Sequence, residues 1–244
     1  MTYEPRIYRS EVDAANLVTF EVVHAETDLQ VSASRDLREQ AAAEVARLRA
    51  GLEAYIAANP RFAESHVPVD VSSGAPEIAR DMADAARIAG VGPMAAVAGA
   101  FAEAVARALG ESSPEVIVEN GGDLYLIGKR ERTVLLSAGD SPLSDQVALV
   151  VSPEMMPIAV CTSSAKVGPS VSYGGAHAVT ILAESGALAD AAASNVGNIV
   201  HGPDDIPAGL ERAKSVPGVL GAVIIADDRI GATGLARLAP APRG

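Results

Sequence analysis

The spacing of apolar and polar residues predicts helices and strands that come in groups along the chain. Residues 18–32 alternate well enough for a hairpin with a turn near residues 26–28. Residues 35–58 are rich in Ala, Leu, Glu and Arg and lack proline, which predicts a long helix that Pro60 ends. Because the helices and strands are grouped, the pattern favours an α+β fold over a doubly wound sheet.

The rest of the chain gives shorter elements of both kinds. Proline in a first turn and glycine at the end are typical helix boundaries, and they predict helices over residues 76–88 and 94–109. Apolar runs predict the strands, and two later segments predict the last helices. These elements are strands at 116–118, 124–127, 133–137, 147–151, 158–161, 178–183 and 219–226, and helices at 188–200 and 206–215.

Small side chains dominate the apolar part of the composition. Apolar residues make up 49% of the 244 residues, but aromatic residues only 3%, and the chain has no tryptophan. The core must therefore be built mainly from Ala, Val, Leu and Ile. The formal net charge of −12 repels phosphate polymers and anionic lipid over most of the surface. We therefore expect no nucleic-acid partner and no membrane partner.

A single cysteine and the first residues bear on the cellular compartment. Cys161 cannot form an internal disulfide, which fits a reducing environment. The first residues show neither the apolar region of a secretion signal nor a lipobox cysteine. No uninterrupted apolar run reaches the roughly 18 residues of a membrane-spanning helix. The sequence predicts a cytoplasmic protein.

One predicted helix carries a carboxylate and a hydroxyl one turn apart. Asp190 and Ser194 share a face of an otherwise small, apolar helix, because side chains at i and i+4 lie above one another. Two such oxygens can hold Mg²⁺ and leave room for a phosphate to complete its shell. The spacing also fits a plain structural role, in which Asp190 caps or solvates the helix and Ser194 is a small filler. Spacing alone leaves both interpretations open.

Three other segments combine low side-chain bulk with groups that suit a nucleotide. Residues 90–100 contain a helix start at Gly92, where free backbone N–H groups favour an anion, although such a start is most often structural. The turn at residues 120–123 contains two glycines that allow close approach of a flat ring or a diphosphate. A run of hydroxyls at residues 162–164 can contact phosphate or ring edges. A hairpin turn and a polar loop are the structural alternatives.

Taken together and in this order, the four segments resemble the ApbE-like superfamily, whose best-known members are the FAD:protein FMN transferases. That superfamily has a Gly-Xaa-Ile-Ala-Lys-Gly helix start, an Asn-Xaa-Gly-Gly-Asp turn, a Thr-Ser-Gly segment and an Ala-Asp-Ala-Xaa-Ala-Thr helix. The chain is most similar to an uncharacterised cytoplasmic branch of the superfamily. This similarity runs from residues 26–28 through Arg49, Glu53 and Tyr55 to the last strand.

The resemblance implies a fold and a set of ligands. The expected fold is α+β, with a duplicated T-fold-like core, mixed sheets flanked by helices, and a single ApbE-like domain over residues 1–244. The expected cofactors are Mg²⁺ and FAD or FMN, with Mg²⁺ on Asp190, Ser194 and the carbonyl of Ala95. The residues expected to bind the dinucleotide are Gly92, Met94, Ala95, Asn120, Gly121, Gly122, Asp123, Thr162, Ser163 and Ser164.

Two departures from the superfamily pattern bear on catalysis. The family lysine falls on Ala96, which removes a cation that faces phosphate. A His-Xaa-Ile-Asp-Pro-Xaa-Thr-Gly segment is also absent, and His177 lies in its shortened replacement. A histidine there can serve as a proton shuttle or a metal ligand near neutral pH, although the sequence shows no partner for it. We take His177 and Asp123 as the candidate catalytic residues.

The sequence therefore predicts a protein that binds a flavin or a related diphosphate dinucleotide with Mg²⁺. Its reaction would be phosphoryl transfer, FMN transfer or hydrolysis of FAD. The alternative is a non-catalytic cofactor-binding or accessory protein in sulfur or cofactor metabolism. A homodimer stays open as an assembly. Glu26, Asp28 and Asp70 are interpreted as solvated carboxylates, and Cys161 as a packing residue at the end of an apolar strand.

Overall fold

Residues 12–164 and 174–241 are described by the structure, a computed structural model. Alternating apolar residues build its strands, and the Ala-rich segments build its helices. The helices are α1 (Arg38–Ala58), α2 (Arg61–Glu64), α3 (Glu77–Ala89), α4 (Val97–Gly110), α5 (Gly186–Gly197) and α6 (Ile206–Ser215). The strands are β1 (Val18–His24), β2 (Thr27–Ala33), β3 (Val116–Asn120), β4 (Asp123–Ile127), β5 (Arg132–Leu135), β6 (Val147–Val151), β7 (Ile158–Ser163), β8 (Ala178–Ala183), β9 (Val219–Ala226), β10 (Arg229–Gly234) and β11 (Arg237–Pro240).

Eight strands form one sheet in the order β1-β2-β3-β4-β7-β8-β9-β10. Each neighbouring pair of these strands is antiparallel. Along the chain, β1 and β2 come before helices α1 to α4, and β3 and β4 come after them. In the same way, β7 and β8 come before α5 and α6, and β9 and β10 come after them. The two halves thus repeat one order of strands and helices and meet where β4 pairs with β7. This architecture confirms the predicted α+β class with its duplicated core.

The large sheet has an apolar core on each face. On one face, the helices pack against residues such as Val118, Tyr125 and Ile181. On the other face, a three-stranded sheet in the order β11-β6-β5 covers residues such as Leu126 and Val160. Neighbouring residues of one strand therefore point into different cores. This alternation places the side chains of Asp123 and Tyr125 on the helical face, where the candidate site lies.

The predicted element boundaries differ from the structure in a few places. Helix α1 begins three residues later than predicted, after a local contact in which Asp36 Oδ1 accepts a hydrogen bond from the backbone N–H of Arg38. The predicted helix over residues 94–109 starts with a 3₁₀ turn at Pro93–Ala96 before α4. The short helix α2 and the strands β10 and β11 were not predicted from the sequence.

Within the described part of the chain, no single helix is long and apolar enough to cross a bilayer. One pair of helices, Glu77–Ala89 and Pro93–Gly110, meets the criteria of length and composition together, but the pair is bent by 102° at its break.

Candidate functional site

A cavity of about 590 Å³ lies between the helices and the turns at one end of the large sheet. Leu52 and Ile56 of α1 and Val97 and Phe101 of α4 give it an apolar wall. All three predicted metal ligands, Asp190, Ser194 and Ala95, line this cavity. So do six of the other predicted site residues, namely Met94, Asn120, Gly121, Asp123, Thr162 and Ser163. The structure thus gathers residues from four distant segments of the chain around one space.

Asp190 is positioned by a close crossing of α4 and α5. Gly99 and Gly186 touch there through their backbones, since a Cβ built on Gly99 would lie 2.2 Å from the carbonyl oxygen of Gly186. The crossing brings Asp190 against the first turn of α4, where its Oδ2 accepts a hydrogen bond from the N–H of Gly99 at 3.0 Å. Ser194 follows one turn later on α5 and lines the same cavity.

Asp123 is the second carboxylate of the site and comes from the other half of the fold. It begins β4 directly after the Gly121-Gly122 turn, and its Oδ1 accepts a hydrogen bond from the N–H of Thr162 at 3.1 Å. Both glycines of the turn have positive φ, at 67° and 100°, which favours glycine there. Asn120 fixes the start of the turn, because its Nδ2 donates to the carbonyl of Ala98 at 3.0 Å.

Asp123 is buried and Asp190 is half-buried, so both carboxylates are costly to ionise side by side. Burial raises the pKa of Asp190 to about 7, against hydrogen bonds from Gly99 and Ala98 that lower it. Burial and then the charge of Asp190 raise the pKa of Asp123 well above its ordinary range. A divalent cation beside the pair would stabilise both ionised forms and relieve their repulsion. The donor set therefore fits a hard cation.

The same donors also indicate how such a cation would be held. No group of three or more His, Cys, Asp and Glu side chains with metal-binding geometry occurs in residues 12–164 and 174–241. Mg²⁺ usually takes one or two protein carboxylates and completes its shell with substrate phosphates and water. Asp190, Ser194, the Ala95 carbonyl and the neighbouring Asp123 match this type of incomplete protein site, and they line the cavity together.

A charged cluster that the sequence did not point to forms another part of the cavity lining. Arg49 of α1 donates from Nη1 to Thr27 Oγ1 at 2.9 Å, and from Nη2 to Glu26 at 2.5 Å and to Glu53 at 2.6 Å. A backbone hydrogen bond and Arg49 lower the pKa of Glu26. Glu26, interpreted from the sequence as a solvated carboxylate, thus forms an ion pair with Arg49, 23 residues later in the chain. Two signals in the sequence could have indicated this cluster, namely the i, i+4 spacing of Arg49 and Glu53 and the resemblance that includes residues 26–28, Arg49 and Glu53.

Four predicted site residues lie elsewhere than in the cavity lining. Gly92 packs against the backbone of Ser65, whose oxygen would lie 1.8 Å from a Cβ on Gly92, so its role there is close packing. Gly122 is a turn residue whose N–H donates to Glu119 Oε1 at 2.9 Å. The hydroxyl of Ser164 is turned toward the backbone and donates to the carbonyl of His177 at 2.7 Å.

His177 is the fourth of these residues. Its buried imidazole accepts a hydrogen bond at Nδ1 from the backbone N–H of Asp227 at 3.1 Å. Its Nε2 lies 3.0 Å from Asp140 Oδ1. These contacts hold the ring among the loops around β9, and it is not among the described residues that line the cavity. The structure therefore supports only Asp123 of the two candidate catalytic residues as a cavity group.

Two further residues of the sequence argument are buried. Ala96, which stands at the position of the family lysine, is fully buried in the helical core. Cys161 is also fully buried, its Sγ lies 3.7 Å from the carbonyl of Gly186, and burial raises the pKa of its thiol. Packing therefore accounts for Cys161, as expected. Ser170 and Ser172, two further serines that follow the hydroxyl run of residues 162–164 in the sequence, lie outside the described residues.

Comparison with known protein sequences gives one family over most of the chain. A family model described as AbpE bacteria matches residues 9–223. A UPF0280 protein of Methanocaldococcus jannaschii is 44% identical over 191 residues, which are 76% of this chain and 78% of that protein. A UPF0280 protein of Methanopyrus kandleri is 42% identical over 225 residues, which are 89% of this chain and 91% of that protein.

Comparison with solved structures gives the same fold at low sequence identity. A variant of the flavin transferase ApbE from Vibrio cholerae superposes with a TM-score of 0.58 at 14% identity, over 90% of this chain and 97% of that one. The ApbE protein of Thermotoga maritima superposes with a TM-score of 0.54 at 15% identity, over 88% and 96% of the two chains. These similarities establish the fold.

Proposed function

This chain belongs to the family described as AbpE bacteria, within the ApbE-like superfamily, and we propose that its cavity binds a flavin or a related diphosphate dinucleotide together with Mg²⁺. The observation that carries this proposal is the pair Asp123 and Asp190, one buried and one half-buried carboxylate that line the same cavity and have raised pKa values. The flavin transferases that share the fold make a flavin nucleotide the first ligand to test.

The residues around the cavity suit the two ends of such a ligand. Val97 and Phe101 offer an apolar surface for a flat ring. The hydroxyls of Thr162 and Ser163 can donate to phosphate oxygens, and Asn120 holds the Gly-Gly turn beside them. Mg²⁺, when bound, supplies Lewis-acid polarisation of the diphosphate and neutralises developing negative charge. Asp190, Ser194 and the Ala95 carbonyl are the groups that would hold it, with Asp123 beside them in the cavity lining.

The reaction that we propose is a slow attack on the diphosphate, by phosphoryl transfer, FMN transfer or hydrolysis of FAD. Asp123 is the cavity carboxylate proposed to accept a proton from the attacking nucleophile, because it lines the same cavity as the proposed metal donors. A binding or accessory role without turnover is the second candidate. Two observations favour it, namely that His177 lies away from the cavity and that Ala96 replaces the family lysine.

A thermal scan tests the proposal. A ligand at 100 times its dissociation constant stabilises the folded state by about 2.7 kcal/mol. For a chain of this size, that raises the melting temperature by roughly 5 to 10 °C, at about 2 to 4 °C per kcal/mol. We expect this shift with FAD and Mg²⁺, and a smaller shift when EDTA replaces Mg²⁺. A scan without any shift for FAD, FMN, NAD or ADP, with or without Mg²⁺, would reject dinucleotide binding.

A further inference from the structure

Arg49 is bonded to two carboxylates in an unusual way. Both Glu26 and Glu53 contact the same nitrogen, Nη2, and each does so through a single oxygen. Neither carboxylate therefore uses the two-pronged geometry in which a guanidinium donates two parallel hydrogen bonds. The Nε of Arg49 has no hydrogen-bond partner, and it is the one buried side-chain nitrogen or oxygen in this condition among the described residues.

The Arg49 group also matters for the charge of the cavity. Its lining contains the carboxylates of Glu26, Glu53, Asp123 and Asp190, and Arg49 is the one Lys or Arg side chain among the described residues that line it. A cation on the two aspartates would neutralise one part of the lining. Arg49 is the protein's own positive group for a ligand anion, and the chain has no lysine at position 96 to share this task.

The two carboxylates on Arg49 differ in how firmly they are held. Glu53 lies on α1 with Arg49, one turn away, so the helix itself keeps that pair together. Glu26 lies in the turn between β1 and β2, on a different element from Arg49, and 75% of its side chain is exposed, against 60% for Glu53. An exposed ion pair of this kind is weak because water screens it. Glu26 is therefore the partner that an incoming anion can displace.

We infer that Arg49 is the residue that recognises a phosphate group of the cavity ligand, and that the Glu26 carboxylate occupies the place of this phosphate until the ligand binds. The inference rests on the proposed function, since it specifies which residue binds the anionic part of that ligand. The phosphate takes Nη2 and the unpartnered Nε together, which is the two-pronged geometry that Glu26 does not achieve. Release of Glu26 returns an exposed carboxylate to water.

Calorimetric titration of inorganic pyrophosphate in EDTA isolates this step from the metal. The account predicts that E26Q binds pyrophosphate about threefold to tenfold more tightly than the wild type, because the competing charge is gone while the turn can still form. R49Q should bind at least about tenfold more weakly, the effect of a lost charge-assisted hydrogen bond. R49K keeps the charge without the planar fork, and it should lie between R49Q and the wild type.

Matched variants distinguish displacement of the Glu26 carboxylate from a general effect of removing negative charge near the cavity. E53Q removes the same charge from the same guanidinium but leaves Glu26 in place, so it should tighten binding less than E26Q. E44Q and R47Q change a pair on the same helix that does not line this cavity, and they should leave the affinity unchanged. Equal affinities in the wild type, E26Q and R49Q, or no binding to any of them, would overturn the inference.

The metal site at Asp190 can be tested separately from the phosphate-binding role of Arg49. In D190N the metal site is removed, but the Arg49 cluster is untouched. D190N should therefore show no gain in pyrophosphate affinity when Mg²⁺ replaces EDTA, whereas the wild type should show one. If Mg²⁺ has no effect on either protein while E26Q and R49Q still differ as predicted, the metal assignment fails and the role of Arg49 stands.

Discussion

Gly99 of α4 and Gly186 of α5 are in backbone contact, and this contact sets the distance between the two helices that carry the candidate metal site. A Cβ on either residue would lie 2.2 Å from the carbonyl oxygen of the other. The side chain of Asp190 meets the first turn of α4 directly beside this crossing. Because Gly99 and Gly186 have no side chains, α5 can approach α4 closely enough for the Asp190 carboxylate to reach the first turn of α4.

Alanine at position 99 should therefore disturb both stability and the site. Gly→Ala in a helix interior normally stabilises by roughly 0.5–1 kcal/mol. At Gly99 the added methyl group has no space, and overpacking of this kind costs about 1–3 kcal/mol. We expect G99A to lower the free energy of unfolding in urea. G51A is the matched control on α1, because its Cβ would meet only Pro76 at 3.9 Å, and it should be neutral or stabilising.

The pH dependence of the free energy of unfolding should report the ionisation of the half-buried Asp190. Its pKa is raised from 3.8 to about 7, so the folded state binds this proton more tightly than the unfolded state does. The resulting stabilisation is fully present below pH 3.8 and is lost as the pH rises through about 7. In EDTA, the free energy of unfolding should fall by the order of a few kcal/mol across this window.

Asparagine at position 190 tests this assignment, because it keeps an oxygen that can accept from Gly99 but does not ionise in this range. We expect D190N to lose the part of the pH dependence between about pH 4 and 7 that Asp190 contributes, whereas burial still raises the pKa of Asp123 and keeps the part that Asp123 contributes. D84N removes an exposed acid of α3 and should keep the wild-type profile. Urea titrations in EDTA at several pH values measure the free energy of unfolding of both variants. The same pH dependence in D190N as in the wild type would contradict the assignment of this titration to Asp190.

The protein should be a poor flavin transferase toward a peptide. With FAD and Mg²⁺ it should hydrolyse FAD slowly to FMN and AMP or leave it intact, because the metal donors are present but Ala96 replaces the lysine. Positioning an acceptor hydroxyl demands groups that the chain lacks at residues 164–179. Chromatography of the nucleotides and mass spectrometry of an Asp-Xaa-Xaa-Xaa-Ser-Gly-Ala-Thr peptide measure this, with the Vibrio cholerae ApbE as positive control. Efficient addition of FMN to the peptide would show that the two departures matter less than proposed.

Much of the fold could be predicted from the sequence because its elements have strong local patterns. Strands Val147–Val151, Ala178–Ala183 and Val219–Ala226 and helix Ile206–Ser215 have the predicted boundaries. Strand β10 was missed because it is exposed and contains two glycines, so its pairing with β9 is decided by tertiary contacts and not by local preference. The three-stranded sheet could not be predicted either, since it joins β6 to a strand near the end of the chain.

The candidate site was partly predictable for a related reason. Asp190 and Ser194 could be linked because a helix repeats every 3.6 residues, and Asp123 because its turn has a distinctive sequence. The pairing of Glu26 with Arg49 depends on how the β1–β2 turn meets α1, which no local pattern encodes. His177 was singled out for its chemistry alone, and the fold placed its ring against Asp140 and the backbone of Asp227.

Calorimetric titration of FAD into the wild type, D190N and D84N, each with Mg²⁺ and with EDTA, tests whether Asp190 holds the metal ion of a dinucleotide site. We expect Mg²⁺ to strengthen FAD binding to the wild type and to D84N. In D190N we expect the affinity with Mg²⁺ to fall at least about tenfold, which is about 1.4 kcal/mol, and to become equal to the affinity in EDTA. Equal FAD affinities for the wild type and D190N in the presence of Mg²⁺ would contradict the assignment of Asp190 as the metal-binding carboxylate of a dinucleotide site.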